Sequence, residues 1–218
     1  KLGTLGMRYL WQRGMPLSII HFITSRCNLR CEHCFYKETL DLKDPGEQSL
    51  KQLDKTTQEI GSLLWYALAG GEPFVRKDVP DIYRIIRKNC DPLVVTIPTN
   101  GWYTERTYQS VLAMLQQTDN GALTIQISID GPTAMHDQIR GENSWLHLCK
   151  TWKKLKELQE LYPNLSLGII TVVNEDNCHV YPQFIDELLA EFQPDQISVN
   201  LIRDTQDINF RPSQAVMN

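Results

Sequence analysis

Several features that would send a chain to a membrane, a nucleic acid or an oxidising compartment are missing here. No apolar run approaches the ~20 residues needed to cross a bilayer. Lys1 to Trp11 holds no continuous apolar stretch of the kind a secretory signal carries. Basic residues are not in excess: 22 Lys and Arg stand against 26 Asp and Glu, a net charge of −4. That balance argues against a sequence-blind grip on nucleic acid. Low-complexity runs, short repeats and internal breaks in composition are absent. Outside one stretch cysteine is sparse, with Cys90, Cys149 and Cys178 scattered singly. A disulfide framework is therefore a poor reading, and these three are expected to be small buried hydrophobes. Free thiols suit a reducing compartment, so a cytoplasmic location is expected.

What is present is enough for one domain with a sizeable core: 218 residues, 42% hydrophobic and 22% charged. The chain starts at Lys1 rather than Met. The remaining cysteines crowd into eight residues, Cys27-Asn28-Leu29-Arg30-Cys31-Glu32-His33-Cys34, spaced C-x3-C-x2-C. An iron–sulfur cluster needs thiolates converging on one small object, and a tight loop supplies them. Three cysteines leave one iron open, as a catalytic metal site keeps a position for its substrate. A zinc knuckle is the competing reading. It would need a fourth ligand, and His33, inside the loop, is badly placed to give one. No second C-x2-C pair follows, so the spacing favours a cluster.

In chain order, Lys1–Met15 reads as a lead-in with a short helix. Leu17–Thr24 reads as a strand, its near-continuous apolar run predicting burial on both faces. Ser49 with Gln52 forms a capping box opening a helix. Strands follow at Leu64–Ala69, Leu93–Ile97, Leu123–Ile129, Leu165–Val173 and Gln196–Ile202. Helices are expected over Val79–Asn89, Glu105–Gln117, Trp145–Leu161 and Tyr181–Phe192, the third from its apolar stripe at three- and four-residue spacing. His136-Asp137 and Arg140-Gly141 are placed in a loop. His136 and Asp137 there read as loop-ordering residues, and His21 as a satisfied barrel histidine. Strand, loop and helix alternate six times. The fold class is thus α/β, a partial (β/α)6 barrel of parallel strands over residues 16–204, after a lead-in of 1–15 and before a tail of 205–218.

The unusual residues fall just past strand ends: the three cysteines, Gly70-Gly71-Glu72-Pro73, Thr99-Asn100-Gly101, Ser128 with Asp130, and Asn174. In a parallel barrel those ends share one rim, where chemistry is placed. Gly70 and Gly71 remove side chains where the backbone must approach something closely, and Glu72 adds an acceptor. On its own that motif also reads as a tight turn. Arg140 reads equally as a surface ion pair or as a fork for a carboxylate.

The C-x3-C-x2-C loop, Gly70-Gly71-Glu72-Pro73 and Ser128-Ile129-Asp130-Gly131, in that order, resemble the radical S-adenosylmethionine (radical SAM) superfamily from Pro16 to about Asp204. One departure is His33, where the residue before the third cysteine is often aromatic. The resemblance implies the six-unit open barrel. It also implies a [4Fe-4S] cluster on Cys27, Cys31 and Cys34, with S-adenosylmethionine on its open iron. One-electron cleavage would then give a 5′-deoxyadenosyl radical that takes a hydrogen atom from a substrate. Gly70, Gly71 and Glu72 would receive the cofactor's amino group. Ser128, Asp130 and Arg140 would meet its ribose or carboxylate, with Thr99 and Asn100 in support. Tyr36 would offer backbone to adenine, and Val172, Val173 and Ile202 an apolar wall. A one-electron donor such as flavodoxin or ferredoxin is implied as partner. The Ser-Ile-Asp-Gly and His-Asp-x-x-Arg-Gly run points to a peptide substrate. A lipid or small metabolite is the alternative, and an iron–sulfur electron carrier or binding module without turnover is a further one. The chain stops soon after the sixth strand, which fits a minimal barrel or a missing C-terminal part that shapes the substrate pocket.

Overall fold

A computed structural model describes residues 16–40, 46–117 and 121–202. The expected lead-in helix and polar tail lie outside these residues. Six strands form one parallel sheet: β1 (Ser18–Thr24), β2 (Trp65–Gly70), β3 (Val94–Thr99), β4 (Ala122–Ser128), β5 (Leu165–Val173) and β6 (Gln196–Leu201). Their order in the sheet is their order in the chain. Between them run α1 (Leu50–Ile60), α2 (Val79–Cys90), α3 (Thr104–Gln117), α4 (Thr133–Arg140), α5 (Ser144–Leu161) and α6 (Tyr181–Phe192). No described helix is long and apolar enough to cross a membrane.

The strands alternate, so each has two faces. Val95, Ile97, Ile125, Leu167 and Ile169 are fully buried in one core with helix residues such as Ile82, Ile86, Met114 and Leu155. Cys90 belongs to that core, with Cys149 and Cys178 packed at its margin. The opposite face is more polar. There Trp65 Nε1 donates to Thr96 Oγ1 at 2.8 Å and Gln126 Nε2 to Ser198 Oγ at 3.0 Å.

The Ser49–Gln52 capping box is present as expected and starts α1. Four expectations are corrected. First, β1 is not buried on both faces: Ile20 is 52% and Phe22 41% exposed. Among the described strands it lies at an edge and pairs with β2 alone, and its inner face looks into the open barrel. Second, β3 runs on through Pro98 to Thr99. Pairing of β2 with β3 stops at Thr96, so the missing Pro98 N–H breaks no ladder there. Third, the stretch holding His136 and Arg140 is the two-turn helix α4, with His136 and Ile139 on its buried side. Pro132 before it and Gly141 after it disguise so short a helix as a loop. Fourth, the apolar stripe of α5 ends at Leu158, since Leu161 is 72% exposed. Asp137 orders the α4–α5 turn, accepting from Asn143 N, Ser144 Oγ and Trp145 N. His21 Nδ1 lies 3.1 Å from Tyr66 Oη.

Candidate functional site

The cysteine loop leaves the C-terminal end of β1 and is fastened at once to the end of β2. Gly71 N donates to Thr24 O and Glu72 N to Arg26 O, both at 2.9 Å. A Cβ on Gly70 would stand 2.3 Å from Thr24 O, and one on Gly71 2.4 Å from Arg26 O. Gly70 also has φ of +144°, which side chains disfavour. The close approach expected of the two glycines is thus to the backbone that leads into Cys27. On its far side the loop is tied to α4, where Glu32 N donates to Ile139 O at 3.0 Å.

Cys27, Cys31 and Cys34 all line one cavity of about 280 Å³, near the lower end for small-molecule sites. Burial pushes the Cys27 thiol up to about 11, against the Leu29 N–H that donates to its sulfur at 3.4 Å. Burial raises Cys31 as well, with Arg140 opposing. Burial thus disfavours the thiolate at both sulfurs, and nearby positive charge favours it. Among the described residues no three His, Cys, Asp or Glu side chains converge as they would on a single ion. The three thiols share a cavity without closing on one point.

The rim carries two buried carboxylates. Glu72 is 1% exposed. It accepts from Phe74 N at 3.1 Å, Thr99 Oγ1 at 2.9 Å and Asn100 N at 2.7 Å, which joins the ends of β2 and β3. Burial pushes it up to about 7, against these three donors. Asn100 Nδ2 reaches Asn28 Oδ1 at 3.0 Å and Cys27 Sγ at 3.9 Å.

Asp130, past the end of β4, is fully buried. It accepts from Arg140 Nε at 2.5 Å and Val172 N at 2.9 Å, and His33 Nε2 lies 3.4 Å away. Its own N–H donates to His136 Nδ1 at 3.3 Å, and its carbonyl accepts from Asn177 Nδ2 at 2.8 Å. Burial works to raise its pKa, but the Arg140 guanidinium and His33 hold it below the usual carboxylate range. Burial and Arg140 together drive His136 down to about 3.

Gly70, Gly71, Glu72, Thr99, Asn100, Ser128, Arg140 and Val172 line the cavity with the cysteines, so most residues singled out in the sequence meet there. Asp130 and Tyr36 are not among its lining residues. Asp130 sits behind the wall, turned to Arg140 and Val172. Tyr36 packs its ring 5.2 Å from Phe22 and 5.0 Å from Phe35, and its carbonyl accepts from both Thr39 N and Oγ1 at 2.9 Å. Val173 and Ile202 are buried away from the cavity. Strand alternation gives the apolar wall to Ile170 and Val172 instead, with Leu201 from β6. Sequence reasoning missed Ile20, Phe22, Phe35 and His33, which also line the cavity. Ile20 and Phe22 are two residues apart on β1, and that spacing was the available signal.

Residues 22–188 match the family model described as the Radical SAM superfamily. Among curated proteins, pre-heme d1 synthase of Dinoroseobacter shibae is 33% identical over 132 residues, 59% of this chain and 31% of the relative. PqqA peptide cyclase of Bradyrhizobium diazoefficiens is 27% identical over 194 residues, 85% of this chain and 46% of the relative. The chain therefore spans about a third to a half of the length of these relatives. Among solved structures, native anSMEcpe with bound AdoMet and Cp18Cys peptide has a TM-score of 0.64 at 19% identity. It covers 89% of this chain and 55% of that one, and at that identity it supports the fold alone.

Proposed function

The chain belongs to the radical SAM superfamily, and on that premise we propose that it acts on a peptide with an iron–sulfur cluster and S-adenosylmethionine held at this rim. The residues fit such groups. Three cysteines open onto one cavity, burial keeps at least two of their thiols protonated without added positive charge, and two buried polar atoms, Asn28 Nδ2 and His33 Nδ1, have no partner among the described residues. Cys27, Cys31 and Cys34 would hold a [4Fe-4S] cluster. When bound, cluster and cofactor would supply one-electron chemistry able to remove a hydrogen atom from an unactivated C–H.

The chain's own part is orientation and exclusion of water. Gly70 and Gly71 let the cysteine loop pack directly on the end of β2, and their edge of the cavity would face the cofactor's amino end. Glu72, at the cavity edge, ties the ends of β2 and β3 together through Thr99 and Asn100. Ser128 and Arg140 give the polar side of the cavity and suit ribose hydroxyls and a carboxylate. Ile170 and Val172 offer adenine an apolar wall. The observation that carries the proposal is the meeting of the cysteines, the glycine edge and Arg140 in one cavity.

A peptide is favoured by the 85% of the chain that aligns with a peptide cyclase. A small metabolite is the second reading, favoured by the identity to a pre-heme d1 synthase. The electron donor proposed is a small acidic carrier such as flavodoxin or ferredoxin. The test is anaerobic reconstitution. Replacing Cys27, Cys31 and Cys34 together by Ala should abolish the brown chromophore and all 5′-deoxyadenosine formed after dithionite. Replacing Cys90, Cys149 and Cys178 should spare about four irons per chain. Loss of the cluster in the second set alone would refute the assignment.

A further inference from the structure

Arg140 has a contact that cofactor binding does not explain. While Nε is fixed on Asp130 at 2.5 Å, Nη1 lies 4.0 Å from Cys31 Sγ. The side chain is 10% exposed and that of Asp130 not at all, so water screens the pair little. Nor is the distance left to a flexible side chain. Arg140 closes the last turn of α4, and the preceding residue, Ile139, is bonded through its carbonyl to Glu32 N in the cysteine loop. Asp130 is itself held by Val172 N and Asn177 Nδ2. The result is an oriented ion pair with its positive end toward one cysteine sulfur.

We infer that Arg140 sets the reduction potential of the cluster through Cys31, with Asp130 as the positioning residue that aims it. This rests on the reading that the three cysteines carry a cluster. Reduction adds one negative charge to the cluster, and a fixed cation beside a ligand sulfur stabilises the reduced form. Net charge and hydrogen bonds to the sulfurs are the protein's main controls on such potentials. Two of the sulfurs are not treated alike: the donors that reach Cys27 Sγ are the neutral Leu29 N–H and Asn100 Nδ2, while Cys31 Sγ faces the Arg140 guanidinium.

The experiment is a redox titration of the reconstituted full chain without S-adenosylmethionine, followed by the electron paramagnetic resonance of the reduced cluster. Arg140→Gln should shift the midpoint to more negative potential. Arg140→Lys, which keeps the charge, should stay closer to the parent. Asp130→Asn, which removes the negative partner and leaves the cation, should shift it the other way. Cofactor affinity is measured on the same samples. A midpoint equal to the parent in Arg140→Gln and in Asp130→Asn overturns the inference, and weaker cofactor binding of Arg140→Gln at that unchanged midpoint would make Arg140 a carboxylate clamp alone. If Arg140→Gln takes up no iron, Asp130→Asn decides the matter: a shift to more positive potential upholds the inference, and an unchanged or more negative midpoint overturns it. A parent that takes up no iron overturns the cluster reading itself, and this inference with it.

Discussion

Glu72 and Asp130 are two acids in similar positions with opposite electrostatics. Each follows a strand end, each has a glycine beside it, and neither is more than 1% exposed. Among the described residues Glu72 is bonded by neutral donors, and burial lifts it to about 7 against them and the charge of Arg140. Asp130 feels the same burial, but Arg140 and His33 overrule it and keep the carboxyl ionised. Burial alone moves an acid toward neutrality, and one buried cation reverses the sign. The first acid can therefore serve as a brace between strands, and the second as the anchor of a charge.

The largest expected effect tests that difference. Asp130→Ala would leave the Arg140 guanidinium buried without its counter-charge, at a cost of about 3–5 kcal/mol. Glu72→Ala removes an acceptor from neutral donors and should cost less, about 1–3 kcal/mol. Denaturant midpoints of the two variants give the order, and equal losses would undo the comparison.

The next effect is a pH dependence. Between pH 4.5 and about 7 folded Glu72 keeps a proton that the unfolded chain has released. Its contribution to stability thus falls as pH rises through that window, by on the order of 3 kcal/mol in total. His136 has the opposite slope: folded near 3 and unfolded at 6.5, it loses stability as pH falls below 6.5. The two partly cancel in the parent. In cluster-free Glu72→Gln only the histidine slope of this pair remains, so that variant should lose more stability from pH 7 to 5 than the parent does. Parallel stability curves across that range would count against the raised Glu72.

A smaller effect separates the glycines beside the acids. A Cβ on Gly71 meets the backbone carbonyl of Arg26, which cannot swing aside, while one on Gly131 meets the flexible thioether of Met135 at 2.7 Å. Gly71→Ala should cost about 1–3 kcal/mol and reduce iron uptake, and Gly131→Ala under about 1 kcal/mol. Iron content and thermal midpoint together check this. Smallest of all, Tyr36→Phe should stay within about 0.5 kcal/mol of the parent, since the residue's bonded group is its backbone carbonyl. A large loss on chemical denaturation would show that the hydroxyl matters.

Much of this was legible in the sequence because it is local. A capping box lies within four residues, and β5 and α6 have the bounds their apolar periods predict. The rim was legible because short polar motifs close each strand. The partners of the acids were not: Asp130 takes its bonds from residues 10 and 42 positions away, and nothing in Ser-Ile-Asp-Gly says which way the carboxylate turns. Edge position hid the exposure of β1, since a strand's neighbours are a property of the sheet. Val172 and Val173 are a case where more could have been read, because adjacent strand residues cannot face the same side.

The order of the sheet has a consequence for how the molecule is made. Because the strands lie side by side as they lie in the chain, a polypeptide growing from its N-terminus always brings its next strand to an edge that already exists. The braces on the cysteine loop from Gly71, Glu72 and Asn100 are in place once the third strand has emerged. The contact from Arg140 comes some forty residues later. Synthesis itself should then separate two stages, a shaped cysteine loop first and the approach of the Arg140 charge after. Nascent chains arrested so that Gln117, or in a longer chain Leu161, has just cleared the ribosome exit tunnel would show this as early protection of the loop from protease in the shorter chain; an unprotected loop there would mean the sheet waits for its second half.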